Sequence, residues 1–284
     1  MTDSVIAAGR VAVITGAAKG IGAALARRLS REGMRLSLFD RDETALQVLA
    51  ATLGTECCLV TGDVTSVDDL TRLRDKTLAA FGEIALLINN VGIKAGGGPW
   101  DSPDKWRNNF EVNLLSAVTL QHLFVPLMLA MEQTGAIVNL GSKEGITTPP
   151  GNAAYSAGKA AIKVLTEQLA HELLQVTSGR VTAHLLVPGF TWTDMNFPGM
   201  NEQADAKPDE AWTSGQVVDY FLEHFTAGDF YIICPDNAVS SDLDRKRITW
   251  ALQDMVENRP ALSRWHPDWK EAFNRWINSP GSQL

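Results

Sequence analysis

Two side chains four positions apart, Tyr155 and Lys159, carry the most specific chemistry in the sequence. At that spacing they share one face of a helix. A free phenol titrates near ~10, too high for easy proton exchange around neutrality. A fixed ammonium beside it favours the phenolate and lowers that value. The pair could then act as a general acid or base. A solvated lysine beside a half-buried tyrosine would show the same spacing, so the pair needs support from other positions. Ser142 stands thirteen positions earlier, just after the apolar run 136–140, where a strand would end. Asn113 sits inside an apolar helical pattern, where an amide is a poor fit and must find partners if it is buried.

The elements that would position these groups follow from hydrophobic periodicity. Residues 10–15 (RVAVIT) read as a buried strand, followed by glycines at 16, 20 and 22 and a small-residue helix ending near Gly33. Glycine permits a tight turn and close backbone approach to a diphosphate, and the helix N-terminus offers free amides to an anion. Residues 35–39 read as a second strand ending at Asp40, placed to hold ribose hydroxyls and to repel a 2'-phosphate. Lys19 and Arg41 argue the other way, since each could meet a phosphate. Strands follow at 56–61, 84–88, 136–140, Val181–Val187 and 230–234. Helices follow at 43–53, Val67–Phe81, 103–132 (one or two), 153–174 and 216–225. Strand–helix alternation implies a parallel sheet with right-handed crossovers. Ligands bind such sheets at the carboxyl ends of the strands. Gly16, Asp40, Asp63 and Asn90 all fall at such ends.

Composition narrows the partners. The chain has 284 residues, net charge -8 and only three cysteines, Cys57, Cys58 and Cys234. The acidic balance disfavours nucleic acid. The odd cysteine count without scaffold spacing suggests reduced thiols and a cytoplasmic setting. No signal pattern and no apolar run of membrane-spanning length is evident. The histidines, His122, His171, His184, His224 and His266, show no metal-ligand spacing, so no metal is expected.

Seven segments in order now resemble one family: TGAAKGIG at 15–22, Asp63-Val64, NNVG at 89–92, Asn113, Ser142, YSAGK at 155–159 and PGFTWTDM at 188–195. These resemble the short-chain dehydrogenase/reductase family to about residue 233, with Val91 in place of the usual alanine. The resemblance implies a doubly wound, Rossmann-like α/β fold with helices on both faces. It implies hydride transfer between a nicotinamide and a secondary alcohol or ketone. Tyr155 would carry the proton, and Lys159 would lower its pKa and bind the nicotinamide ribose. Ser142 would bind the substrate oxygen, and Asn113 would fix its helix and a relay water. Gly16, Lys19, Gly20, Ile21 and Gly22 would line the diphosphate. Asp40 and Arg41 would meet the adenosine ribose, and Asp63 and Val64 the adenine. Asn90 and Gly92 would pack along the adenosine. Pro188, Gly189, Thr191 and Thr193 would line the nicotinamide end. NAD is preferred over NADP.

The chain divides into a catalytic domain at 1–234 and a helical, Trp-rich extension at 235–284. Within the first part, residues 190–226 form a substrate lid. Trp192 and Met195, with Phe197, Met200 and Trp212, either meet a bulky apolar substrate or pack the lid itself. The glycine-rich loop 94–99 could border the site. In the extension, Trp269, Ala272, Phe273, Trp276 and Ile277 share a helical face after Pro267, which fits a helix N1 position. That face either packs on its own domain or caps a neighbouring subunit or the cleft. A homodimer or homotetramer is expected, through the helices near 103–130 and 153–174. The alternative functions are a nucleotide-sensing protein on the same fold and a related epimerase or dehydratase.

Overall fold

The computed structural model describes residues 4–94, 97–200 and 204–279. Seven parallel strands form one sheet: β1 (Val11–Thr15), β2 (Arg35–Asp40), β3 (Cys57–Thr61), β4 (Leu86–Asn89), β5 (Gly135–Leu140), β6 (Val181–Val187) and β9 (Tyr231–Ile233). Their order is β3-β2-β1-β4-β5-β6-β9. The order reverses between β1 and β4, which opens a crevice at their carboxyl ends. A second, unexpected two-stranded sheet pairs β7 (Thr191–Trp192) with β8 (Trp212–Thr213) and closes the base of the lid segment.

The strands are buried on both faces, and alternate residues feed opposite cores. Ala12 and Ile14 join one core while Val13 joins the other; Leu86 and Ile88 oppose Leu87 in the same way. The first core receives α1 (Gly20–Arg31), α2 (Glu43–Ala50) and α8 (Ser214–Ala227). The second receives α3 (Val67–Phe81), α5 (Ser116–Ala130) and α7 (Ala153–Thr177). The parallel sheet expected from the alternation, and the doubly wound arrangement implied by the resemblance, are therefore present.

The helix expected over 103–132 is α4 (Pro103–Phe110), a π-helical turn at Glu111–Leu115, and α5. The continuous helix Pro103–Ala130 is long and apolar enough to cross a membrane, which the reading of the sequence had not allowed. Its Leu120, Phe124 and Met128 are buried in the second core, as in the core helix of a globular domain. A short helix, α6 (Glu144–Thr147), follows the β5 loop.

After β9 come α9 (Ser241–Val256), two 3-10 turns at Ser263–Trp265 and Pro267–Trp269, and α10 (Lys270–Asn278). Pro267 opens a 3-10 turn rather than the helix itself. The aromatic stripe packs on its own chain. Trp250 of α9 is buried, with Trp269, Phe273 and Trp276 ring centroids at 6.3, 5.4 and 6.0 Å. The Arg259 guanidinium lies 4.3 Å from the Trp250 ring, and the indole N–H donates to Ser263 Oγ at 2.7 Å. The stripe's inward face is thus consumed by α9.

Candidate active site

The glycine turn is built by close approach. Gly16 has φ +64, and a Cβ there would lie 2.9 Å from Asn90 Nδ2. A Cβ on Gly22 would lie 2.0 Å from the Gly16 carbonyl oxygen, so nothing larger than glycine fits this packing. Asn90 ties the turn down: its Nδ2 donates to the Thr15 and Gly16 carbonyls at 2.9 and 3.0 Å. Its side chain therefore shapes the turn, where the sequence had suggested only packing along adenosine. The start of α1 has no side-chain cap and no acidic residue in its first turn. By contrast α2, α3, α8 and α9 are capped by Asp42, Ser66, Thr213 and Ser240. Uncapped amides at a glycine turn form an anion cradle, so these residues fit a dinucleotide diphosphate.

Asp40 ends β2, and its carboxylate is held in place. Oδ2 accepts from the Ala18 N–H at 3.0 Å and Oδ1 from the Asp42 N–H at 3.1 Å. Each oxygen keeps a further lone pair for a hydroxyl donor. Lys19 pairs with Asp42, the cap of α2, at 2.9 Å. The hydrogen bond to Asp42 raises the Lys19 pKa. Arg41 is exposed. Asp63 is exposed and accepts from the Thr65 N–H and hydroxyl, both at 2.8 Å, while Val64 is buried under it.

The catalytic candidates converge at the ends of β4 and β5. Tyr155 and Lys159 project from the first turns of α7, and the ammonium lies 5.8 Å from the phenol ring centroid. Ser142 Oγ accepts from the Glu144 N–H at 3.1 Å, and its side chain is near enough to the phenol to act against the rise in the phenol's pKa. A Cβ on Gly92 would lie 3.0 Å from Asn113 Oδ1, 3.4 Å from Lys159 Nζ and 3.5 Å from Met195 Cε. Gly92 thus sits among two catalytic candidates and the lid methionine. Asn113 occupies the π-helical turn, a widening that often marks functional sites. Its amide clamps the backbone of Ile93, accepting from the N–H at 2.9 Å and donating to the carbonyl at 3.0 Å. It therefore fixes the loop after β4 as well as its own helix.

The surroundings of the phenol act against the lowering that the resemblance implies for Lys159. Burial pushes the phenol up to about 12, against a smaller lowering by Ser142 and a further rise from Glu144. Lys159 itself is pushed down to about 8 by complete burial. Its Nζ donates to the Leu140 carbonyl at 2.8 Å. Sharing a helix face set the proximity, while burial sets the direction of each shift.

Several contributors were invisible in the sequence. Asn89, Asn139 and Thr166 form a buried chain, Nδ2 to Oδ1 at 2.7 Å and Nδ2 to Oγ1 at 2.9 Å, that joins β4, β5 and α7. Polar residues inside apolar runs were the available signal. A Cβ on Gly145 would lie 2.5 Å from the Lys159 carbonyl carbon, so glycine lets α6 press on α7. Glu144 pairs with Lys94 at 2.9 Å and accepts from Asn152 Nδ2 at 3.3 Å, giving the site a charged rim. In loop 94–99, Ala95 and Gly96 lie outside the described residues.

The lid residues divide. Met195 reaches the catalytic group, as above, whereas Trp192 is buried and packs on Phe197 with centroids 4.4 Å apart. Thr191 and Thr193 are buried, and Thr193 Cγ2 lies 3.3 Å from a Cβ built on Gly20, so the lid base touches the diphosphate turn. Gly189, after Pro188, packs on the Pro235 carbonyl. Among the described residues no group of three His, Cys, Asp or Glu side chains could hold a metal ion.

Residues 10–204 match the short chain dehydrogenase family. The CLA biosynthesis dehydrogenase/reductase of Lactiplantibacillus plantarum is 36% identical over 193 residues, 66% of each chain. The 1-deoxy-11-beta-hydroxypentalenate dehydrogenase of Streptomyces exfoliatus is 32% identical over 262 residues, 90% of this chain and 94% of that one. A short chain dehydrogenase/reductase from Burkholderia phymatum, solved in complex with NAD, has TM-score 0.79 and 28% identity over 99% of this chain and 100% of its own. A metagenomic short-chain oxidoreductase in complex with NADP has TM-score 0.65 and 29% identity over 81% of this chain and 98% of its own. The chain belongs to the short-chain dehydrogenase/reductase family and is an NAD(P)-linked oxidoreductase. The Burkholderia likeness extends through the C-terminal helices, so that extension is shared with at least one relative.

Proposed function

We propose that this enzyme interconverts a secondary alcohol and its ketone, with NAD preferred and Tyr155 as the proton carrier. The observation that carries the reading is the convergence of Ser142, Tyr155, Lys159 and Gly92 beside an uncapped glycine turn. A bound nicotinamide would supply the hydride chemistry, taking hydride from the carbinol carbon or giving it to the carbonyl carbon. Gly16, Gly20, Ile21 and Gly22 would hold the diphosphate, Asp40 the adenosine ribose, and Lys159 the nicotinamide ribose. Asp63, Val64, Asn90, Pro188, Gly189, Thr191 and Thr193 would complete the binding wall. Ser142 donates to the substrate oxygen, and the Tyr155 phenol exchanges its proton with that same oxygen. Met195 and the lid favour a bulky apolar substrate body, while the Lys94–Glu144 pair leaves a polar rim. Absorbance of reduced nicotinamide, followed with NAD and NADP against a panel of bulky secondary alcohols, tests the reading. No reduction of either cofactor across the panel would sink it. Neither a nucleotide sensor nor an epimerase or dehydratase has an observation in its favour here.

The NAD preference rests on charge at the end of β2. Asp40 and Asp42 present two carboxylates, and Lys19 is already paired with one of them. A 2'-phosphate would meet Asp40 at a cost of about 1–4 kcal/mol. Asp40→Asn should therefore shift the NADP/NAD ratio of kcat/KM upward by about tenfold or more. An unchanged ratio would remove Asp40 from the specificity argument.

The chain is further proposed to act in the cytoplasm as a dimer or tetramer, with the catalytic unit ending near residue 234. Leu115 and Val118 near the start of α5 and Val164 and Leu174 on α7 are exposed apolar residues on the helices that would pair.

A further inference from the structure

We infer that helix α9 of the C-terminal extension positions the catalytic serine loop, acting through Lys143. This rests on the functional reading above for its meaning, but not for its geometry. Lys143 directly follows Ser142. Its ammonium lies 2.5 Å from Asp244 Oδ2, on α9, and 3.4 Å from Asp236 Oδ2, just after β9. The two carboxylates are nearly buried, with side-chain exposures of 8% and 2%.

Asp236 is a junction in its own right. Its Oδ2 accepts from the Phe190 N–H at 3.0 Å. Its Oδ1 accepts from the Ala238 and Val239 N–H groups at 3.0 and 2.8 Å, bending the chain toward α9. One carboxylate thus joins the loops after β5, β6 and β9. The packing there is close: a Cβ on Gly189 would lie 2.6 Å from the Pro235 carbonyl oxygen and 2.9 Å from Asp236 Oδ2. The space left around Lys143 and Asp244 is about 10 Å³, room for one water at most.

A buried ion pair is a poor source of net stability, because desolvation offsets the attraction. Its geometry is demanding, however, and a lysine held between two fixed carboxylates has little freedom. The residue before it is Ser142, whose hydroxyl must meet both the Tyr155 phenol and the substrate oxygen. A displacement of about 1 Å there can cost on the order of 10²-fold in rate. Lys143, Asp236 and Asp244 are positioning residues in this sense, and the extension completes the site without touching substrate.

Hydrogen exchange of segment 141–147, followed by mass spectrometry, tests this without any substrate. Asp244→Asn and Lys143→Met should each speed exchange there by about tenfold, with segment 11–31 unchanged. In turnover assays, kcat should fall about tenfold or more in the two disrupting variants. Reduced-cofactor affinity, read by fluorescence, should stay within about twofold. Unchanged exchange in 141–147, or a uniform rise across the whole chain, overturns the inference. A wild-type enzyme inactive on every alcohol, with the exchange pattern as expected, would instead refute the functional reading alone.

Discussion

Tyr155→Phe should abolish hydride transfer while leaving the fold and cofactor binding in place. The phenol is buried at the catalytic cluster, with Ser142 near enough to act on its pKa. General acid–base transfer contributes on the order of 10²–10⁴ in rate. A loss of that size in kcat/KM is expected, with NADH affinity unchanged by fluorescence titration. Full activity of the variant would show that the proton takes another route. The direction of the pKa shift adds a second expectation. Burial and Glu144 hold the phenol protonated at neutral pH. Acting as a base, it must first give that proton up. Alcohol oxidation should therefore climb as pH rises from 7 to 9, whereas carbonyl reduction, which uses the phenol as an acid, should stay nearly level because the phenol remains protonated across that range. A flat oxidation profile across that range would contradict the assignment.

Lys159→Met should make the protein more stable and much less active. Burial pushes the Lys159 pKa down from 10.5 to about 8. That shift corresponds to about 3 kcal/mol of penalty on the charged form. Losing the hydrogen bond to the Leu140 carbonyl gives back about 1 kcal/mol. The net gain near neutrality is then about 2 kcal/mol, or roughly 5 °C in Tm for a chain of this size. The sign with pH follows from linkage. The folded pKa lies below the unfolded value, so the unfolded chain binds the extra proton between about 8 and 10.5. The contribution of Lys159 to wild-type stability should therefore improve across that window. The difference in Tm between variant and wild type should narrow there. A variant that is destabilised at neutral pH, or whose advantage is constant with pH, would show that Lys159 is not the desolvated amine described here. Activity should fall sharply in either case, since nothing else among the named candidates would hold the nicotinamide ribose.

These two variants also separate two kinds of contribution at one helix turn. Tyr155 can be removed with the packing retained, because phenylalanine keeps the ring. Lys159 is costly to the fold and is kept at a site where function needs it, a trade common at active sites.

Much of the chain is governed by local rules, and those parts were legible in the sequence. The β-branched runs and the amphipathic repeats specify strands and helices by side-chain period alone. The Thr213–Gln216 capping box at the start of α8 is a local feature of the same kind, since both partners lie within one turn. The glycine turn after β1 needed only Gly16, Gly20 and Gly22 at short range; Asp40 and Ser142 were legible at strand ends, Tyr155 and Lys159 by their four-residue spacing, and Asn113 as an amide inside an apolar helical pattern. The aromatic stripe at 269–277 was visible, but its partner was not: Trp250 lies on another helix and shares no sequence period with it.

What the tertiary structure alone decided depends on burial and on groups far apart in the chain. The Lys143–Asp236 contact spans 93 positions, and no local pattern marks either residue. Lys19 was free to read as a phosphate partner until Asp42 was found beside it. Above all, the sequence determined that Tyr155 and Lys159 would stand together, because helix geometry places i and i+4 side by side. It could not determine which way their proton affinities move. That direction depends on how much water the surrounding chain excludes, and here burial pushes the phenol up and the ammonium down.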